Sequence, residues 1–97
     1  MTTTNATAEG TPAIPADLGA MVEQDPNRPG RDRARLVGYG IPVWAIVGHL
    51  QGLDGDVAQV AHDYAIPETA VRAAIAYYEE YHAAIVARLA INAAATS

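Results

Sequence analysis

The chain carries four arginines within eight residues, at positions 28, 31, 33 and 35, and contains no lysine. Asp32 is the only opposite charge among them. A guanidinium group is planar and permanently charged, and its fork of N–H donors fits the oxygens of a phosphate or a carboxylate. Two interpretations follow for Arg28, Arg31, Arg33 and Arg35. They contact an anionic partner such as the DNA backbone, or they lie on a solvated, flexible loop.

A second group of chemically active residues is the pair Glu79 and His82, three residues apart in the stretch EEYH. Carboxylate-bridged di-metal bundles use that spacing, but they need further inward carboxylates from other helices, and this chain has few. We therefore interpret His82 as a residue of a helix seam, hydrogen-bonded across a dimer, and expect no metal site. The chain lacks cysteine, has most of its serine and threonine near the termini, and has no glycine-rich phosphate loop with lysine. These features indicate a protein that is not an enzyme and uses no cofactor or small-molecule substrate.

Composition limits the architecture that can position these residues. The 97 residues fit at most one domain, and a net charge of −5 argues against a surface that is basic throughout. Residues 1–16 are rich in threonine, alanine and proline without apolar periodicity, which predicts a disordered arm. The folded domain is expected at residues 17–92, with a flexible C-terminus at 93–97. No signal-peptide pattern and no bilayer-length apolar run is present, which favours a cytoplasmic protein without membrane contact.

Two short apolar stretches in the first half of the domain are candidate β-strands. Residues 18–22 end at a proline-containing turn, and Leu36, Val37 and Tyr39 form the second stretch, which glycine interrupts. A two-stranded hairpin alone is marginally stable in water. We therefore expect these strands to pair with something else, such as the strand of a second, swapped chain.

Three helices are predicted after the strands. Pro42 suits the first turn of the first helix, and a glycine-containing loop ends it. Asp56 and Gln59 have the spacing of a capping box at the start of the second helix, which runs to about Tyr64. Pro67 opens the third.

The third predicted helix is unusually long. Glycine and proline are absent from Glu68 to Asn92, which predicts a rod of roughly 39 Å. Its apolar seam steps by four and three residues through Val71, Ile75, Tyr78, His82, Ile85 and Leu89. A three-helix head covers only the first half of this seam, so the seam residues are predicted to form a homodimer interface. The alternative is a break near His82, after which the chain folds back as a fourth, short helix.

The stretch DVAQVAHDYAIPETAVRAAIAYY, residues 56–78, has the pattern of a helix-turn-helix, with the small Ala61 where the two helices would cross. The first turns of its second helix would expose Glu68, Thr69, Arg72 and Ala73. Thr69 and Arg72 are therefore candidate DNA contacts. Arg72 has an equally good alternative in an ion pair with Glu68 one turn earlier.

Two segments, RLVGYGIPVWAIV and VAQVAHDYAIPETAVRAAIAYYEEY, resemble the domain-of-unknown-function 433 family, small helix-turn-helix proteins related to VapB-type antitoxins. Residues 38–43 read Gly-Tyr-Gly-Ile-Pro-Val where that family has Gly-Thr-Arg-Ile-Pro-Val. The resemblance covers roughly residues 22–81. It implies a dimer with intertwined N-terminal strands, a DNA-binding antitoxin or autoregulator, and a PIN-domain ribonuclease toxin as partner. The arginine segment could then enter the toxin's carboxylate-lined metal site.

Together these observations predict a mainly α protein. Its tri-helical, winged or homeodomain-like helix-turn-helix head would have short N-terminal β-strands and a long C-terminal helix in a strand-swapped dimer. The function expected from it is a DNA-binding antitoxin that regulates its own transcription. The alternative is a protein-interaction adaptor with the same fold that has lost DNA binding.

Overall fold

The computed structural model describes residues 16–96. In chain order its elements are helix α1 (Ala16–Gly19), strand β1 (Val22–Glu23), a 3-10 turn (Arg31–Arg33), strand β2 (Arg35–Leu36) and helices α2 (Val43–Gly52), α3 (Val57–Tyr64), α4 (Glu68–Glu80) and α5 (His82–Thr96). The protein is mainly helical with a small two-stranded antiparallel sheet, as the sequence predicts. Of the predicted N-terminal arm, all but Ala16 lies outside the described residues. Residues 93–96, predicted to be flexible, continue α5.

The two strands pair with each other within the chain. Val22 lies opposite Leu36 and Glu23 opposite Arg35, while residues 37–39 form a turn and most of the first predicted strand is in α1 and the loop after it. The expectation that the strands need another partner is therefore wrong for this chain. The hairpin is stabilised because Leu36 is fully buried in the core, and a hairpin that packs against helices is no longer marginal. Exchange of strands between two chains stays a prediction.

Local sequence signals explain the ends of α2 and α3. α2 begins directly after Pro42, as predicted. The backbone N–H of Gln59 donates to Asp56 Oδ1 at 3.0 Å, which caps α3, whereas the Gln59 side chain donates to Asp63 instead of returning to Asp56. Only half of the predicted capping box therefore forms. α3 ends where Ala65 adopts the left-handed conformation with φ of 57°.

The single long helix predicted from Glu68 to Asn92 is wrong. α4 ends before Tyr81, whose φ of −117° and ψ of 46° turn the chain, and α5 then packs against α2 and the 3-10 turn. Ile85 is thereby fully buried within its own chain and Leu89 packs against the core. Burying an aliphatic side chain is worth about 1.5–3 kcal/mol, which favours the fold-back without any partner. The predicted alternative, a break near His82, is confirmed, although α5 is 15 residues long and not short.

α4 lies at the centre of the fold and contacts α1, α2, α3, α5 and β1. The core consists of small and aliphatic side chains and one tyrosine, which come from α4 and from the segments packed against it. Its fully buried larger members are Leu36, Val43, Ile46, Val47, Val60, Val71 and Ile85. None of the helices in residues 16–96 combines the length and hydropathy needed to cross a membrane.

Candidate functional site

The first turns of α4 form an exposed polar surface on a helix whose other face is fixed. Ala70, Val71 and Ala74 are fully buried, whereas Glu68, Thr69 and Arg72 are exposed. This outward direction of Thr69 and Arg72 agrees with their predicted placement on the helix. The prediction that Ala73 is exposed is wrong, because it is fully buried on the side of α4 that packs within the fold.

Arg72 is paired within its own helix. Its Nη2 lies 3.7 Å from Glu68 Oε1, and both side chains remain more than half exposed. An exposed ion pair at this spacing contributes about 0.3–0.5 kcal/mol, so the guanidinium can leave it at little cost. Glu68 itself sits in the first turn, where the positive end of the helix stabilises a carboxylate.

The four clustered arginines do not form one common surface. Arg35 donates from Nε to Glu23 Oε2 at 2.8 Å, across the β-hairpin, and its Nη1 lies 3.9 Å from Asp25. The guanidinium of Arg31 lies 4.3 Å above the ring centre of Tyr81, in a cation–π contact. The structure thus engages Arg31 and Arg35 with groups of the same chain, and phosphate binding by the four arginines stays a prediction.

Arg28 and Arg33 instead line a cleft with Arg88, a residue that no sequence pattern indicates. They line a solvent-open cleft of about 100 Å³ together with Arg88 from α5 and four further residues, Asp25, Pro42, Trp44 and Asn92. Arg28 has no ion-pair partner in the part of the chain that the structure describes. Three guanidinium groups therefore lie around one cleft, with Asp25 as the acidic residue in its lining.

Arg88 is held in place by Asp32 of the 3-10 turn. Its Nε and Nη2 both donate to Asp32 Oδ2, at 3.0 and 2.6 Å, and the Arg88 side chain is only 15% exposed. These hydrogen bonds lower the pKa of Asp32, outweighing the opposite effect of burial. Because 56 residues separate the pair, its existence depends on the fold-back of α5 and no sequence spacing indicates it.

One histidine, His49, forms a polar contact between α2 and α3. His49 Nε2 lies 2.8 Å from Asp63 Oδ2, and Gln59 Nε2 donates to the other oxygen of the same carboxylate. The hydrogen bond from His49, followed by that from Gln59, lowers the pKa of Asp63. The His49 side chain is 39% exposed, so this link lies at the surface. Residues 16–96 hold no group of three or more potential metal ligands.

The six residues predicted for a dimer interface have different environments. Val71 and Ile85 are fully buried, His82 is exposed, and those partly buried against the core are Ile75, Tyr78 and Leu89. The apolar seam is thus largely covered by the chain itself. The reasoning that an uncovered seam demands a second copy is wrong, and the homodimer stays a prediction that needs a different surface.

These features define the class of protein: it is small and mainly helical, and its central helix α4 contacts the four other helices of residues 16–96 and strand β1. The family model described as "Protein of unknown function (DUF433)" matches residues 22–78, which is more than half of the chain. The chain therefore belongs to the DUF433 family, and the sequence resemblance is confirmed. No curated protein and no solved structure matches it.

Proposed function

We propose that this protein is a DNA-binding regulator of the antitoxin type, in which α3 and α4 form a helix-turn-helix and α4 is the recognition helix. The carrying observation is the orientation of α4, which presents Thr69 and Arg72 to solvent from its first turns while its opposite face is fixed in the core. Recognition helices contact base edges with their N-terminal residues in this manner.

The chemistry of the two side chains suits the major groove. Arg72 can donate two hydrogen bonds to O6 and N7 of guanine, and the Thr69 hydroxyl can contact a base or a phosphate. Glu68 opposes this binding because its carboxylate repels phosphate and competes for Arg72. The proposal includes a homodimer, since two recognition helices double the contacts with DNA. It also includes a PIN-domain toxin as partner, because of the likeness to VapB-type antitoxins.

The test is binding to duplex DNA, genomic and random, across a series of salt concentrations. Arg72→Ala is expected to weaken binding by a factor that corresponds to about 1–3 kcal/mol. Glu68→Gln is expected to tighten it about twofold to fivefold, because it frees Arg72 and removes the repulsion. The matched control is Glu79→Gln, which changes the net charge equally at the exposed far end of α4 and should have less effect. No retardation at low salt, for either the wild type or Glu68→Gln, would refute DNA binding.

A second candidate function, a protein-interaction adaptor, is favoured by the charge of the head. Residues 43–80 contain one arginine and six carboxylates, which are Asp54, Asp56, Asp63, Glu68, Glu79 and Glu80. Such a surface repels the DNA backbone and suits a basic protein partner. The adaptor predicts no salt-dependent DNA binding in the assay above. It also predicts a protein that stays bound to the native chain during gentle isolation and that is released by high salt.

A further inference from the structure

We propose that the cleft lined by Arg28, Arg33 and Arg88 binds a phosphate group. The site does not depend on the proposed function, because no residue of α4 lines it. It joins three parts of the chain that are far apart in sequence: the loop and 3-10 turn after β1, the start of α2, and α5.

The arginines remain able to bind an anion despite the nearby acids. Both hydrogen bonds from the Arg88 guanidinium go to a single oxygen of Asp32, which fixes the guanidinium and leaves its Nη1 donors outside these bonds. Arg33 Nε lies 3.8 Å from the same oxygen, beyond hydrogen-bonding distance. Asp25 Oδ1 already accepts from the backbone N–H of Asn27 at 2.9 Å. Within the described residues the side chains of Arg28 and Arg33 make no hydrogen bond, so the lining keeps guanidinium donors that can bind an anion.

The backbone adds to this positive potential. Pro42 and Trp44 line the cleft at the N-terminus of α2, a ten-residue helix without a side-chain cap. The partial positive charge of a helix N-terminus favours an anion placed beside it. An anion that binds this cleft in the folded chain and not in the unfolded chain should also stabilise the fold.

Size and charge favour phosphate over other anions. The cleft of about 100 Å³ has room for several water molecules, which is enough for one oxyanion group. The guanidinium forks of Arg28 and Arg33, together with Nη1 of Arg88, can serve the four oxygens of a phosphate, whereas a carboxylate offers two. Three arginines and Asp25 line the cleft, and Asp32 is bonded to Arg88 beside it, so these five groups carry a net charge of +1 that attracts a phosphate anion.

The chain contains its own reporter for this cleft, because Trp44 is the only tryptophan. We expect inorganic phosphate, titrated at constant pH and ionic strength, to change Trp44 fluorescence saturably with a Kd of about 1 mM or tighter. The thermal midpoint should rise in parallel. Sulfate should compete, and acetate at equal ionic strength should not.

Two variants and one control locate the binding. Arg28→Gln, an exposed position without an ion pair in the described residues, should raise the Kd at least about fivefold, since a charge-assisted bond is worth more than 1 kcal/mol. Arg33→Gln should do the same. The control Ala58→Glu makes the same change in net charge on the exposed face of α3, where a first-turn carboxylate suits the helix, and should leave the Kd within about twofold.

Further ligands separate the sources of the phosphate group. If random duplex DNA displaces inorganic phosphate from the cleft, the bound phosphate group belongs to nucleic acid. If only inorganic phosphate and O-phosphoserine change the Trp44 fluorescence, the group belongs to small phosphorylated molecules. The inference is overturned if phosphate gives no saturable Trp44 response, if acetate matches phosphate, or if Ala58→Glu weakens binding as much as Arg28→Gln. A failure of the DNA proposal leaves the phosphate titration unaffected because it contains no DNA.

Discussion

Replacing Ile85 with alanine tests whether α5 packs on its own chain. Ile85 is fully buried, so Ile85→Ala removes three carbons from the core and leaves a cavity. Such a substitution costs about 2–5 kcal/mol. A domain of this size has a total stability of about 4–12 kcal/mol, so the loss is a large fraction of it. At about 4–8 °C per kcal/mol, the midpoint of thermal unfolding should fall by about 10 °C or more.

The matched control is Ile91→Ala on the same helix. Ile91 is 53% exposed, so the same three carbons leave no cavity and the loss should stay below about 0.5 kcal/mol. Unfolding by urea, followed by far-ultraviolet circular dichroism, gives the free energy of unfolding for both variants. Equal losses for the two would refute the fold-back, because a continuous α4–α5 rod in an isolated chain would expose Ile85 much as it exposes Ile91.

Three further substitutions test single contacts by the same measurement. Ala65→Gly should stabilise the fold by about 0.5–1 kcal/mol, because glycine relieves the left-handed strain at the end of α3; a loss would argue against that backbone conformation. Tyr77→Phe should cost about 1 kcal/mol, because the phenol donates to the Arg31 carbonyl at 2.9 Å; an unchanged midpoint would argue against this bond. Asp32→Asn should cost about 1.5 kcal/mol at pH 7, a low value for a charged bond because the pair is partly exposed. Arg88 lowers the pKa of Asp32 in the folded chain. The contribution of the pair is therefore complete above the unfolded pKa of about 3.9 and is lost as the pH falls through the folded pKa. The free energies of unfolding of wild type and variant should accordingly converge in acid.

Local signals predicted the ends of α2 and α3 correctly, although they predicted longer strands than the structure has. The start of α2 after Pro42, the Asp56 cap of α3 and the turn at Ala65 each depend on residues within one helical turn, and all three are present. Because residues 38–43 and the α3–α4 segment are close to the family pattern, they also identified the DUF433 family before the fold was known.

Most of the errors concern contacts between distant parts of the chain. Tyr81 ends α4 although neither glycine nor proline marks the break, because burial of Ile85 offsets the lost helical hydrogen bonds. The same fold-back brings Arg88 beside Asp32, so the cleft could not be inferred from spacing. Two of the clustered arginines are engaged by residues distant in sequence, Arg31 by Tyr81 and Arg35 by Glu23, which their spacing does not indicate either.

The two proposed anion-binding surfaces can be separated by counting charges. The logarithm of DNA affinity falls with the logarithm of salt concentration by about 0.9 for each phosphate neutralised. If Arg72 alone contacts the backbone, the slope is about −0.9 per chain; if Arg28 and Arg33 also contribute, it approaches about −2.7, and a dimer doubles either value. Because the head is acidic, a slope near zero with measurable affinity would mean that no arginine contacts phosphate. The cleft and α4 thus bind the same DNA only if adding Arg28→Gln to the Arg72→Ala variant makes its salt dependence still less steep.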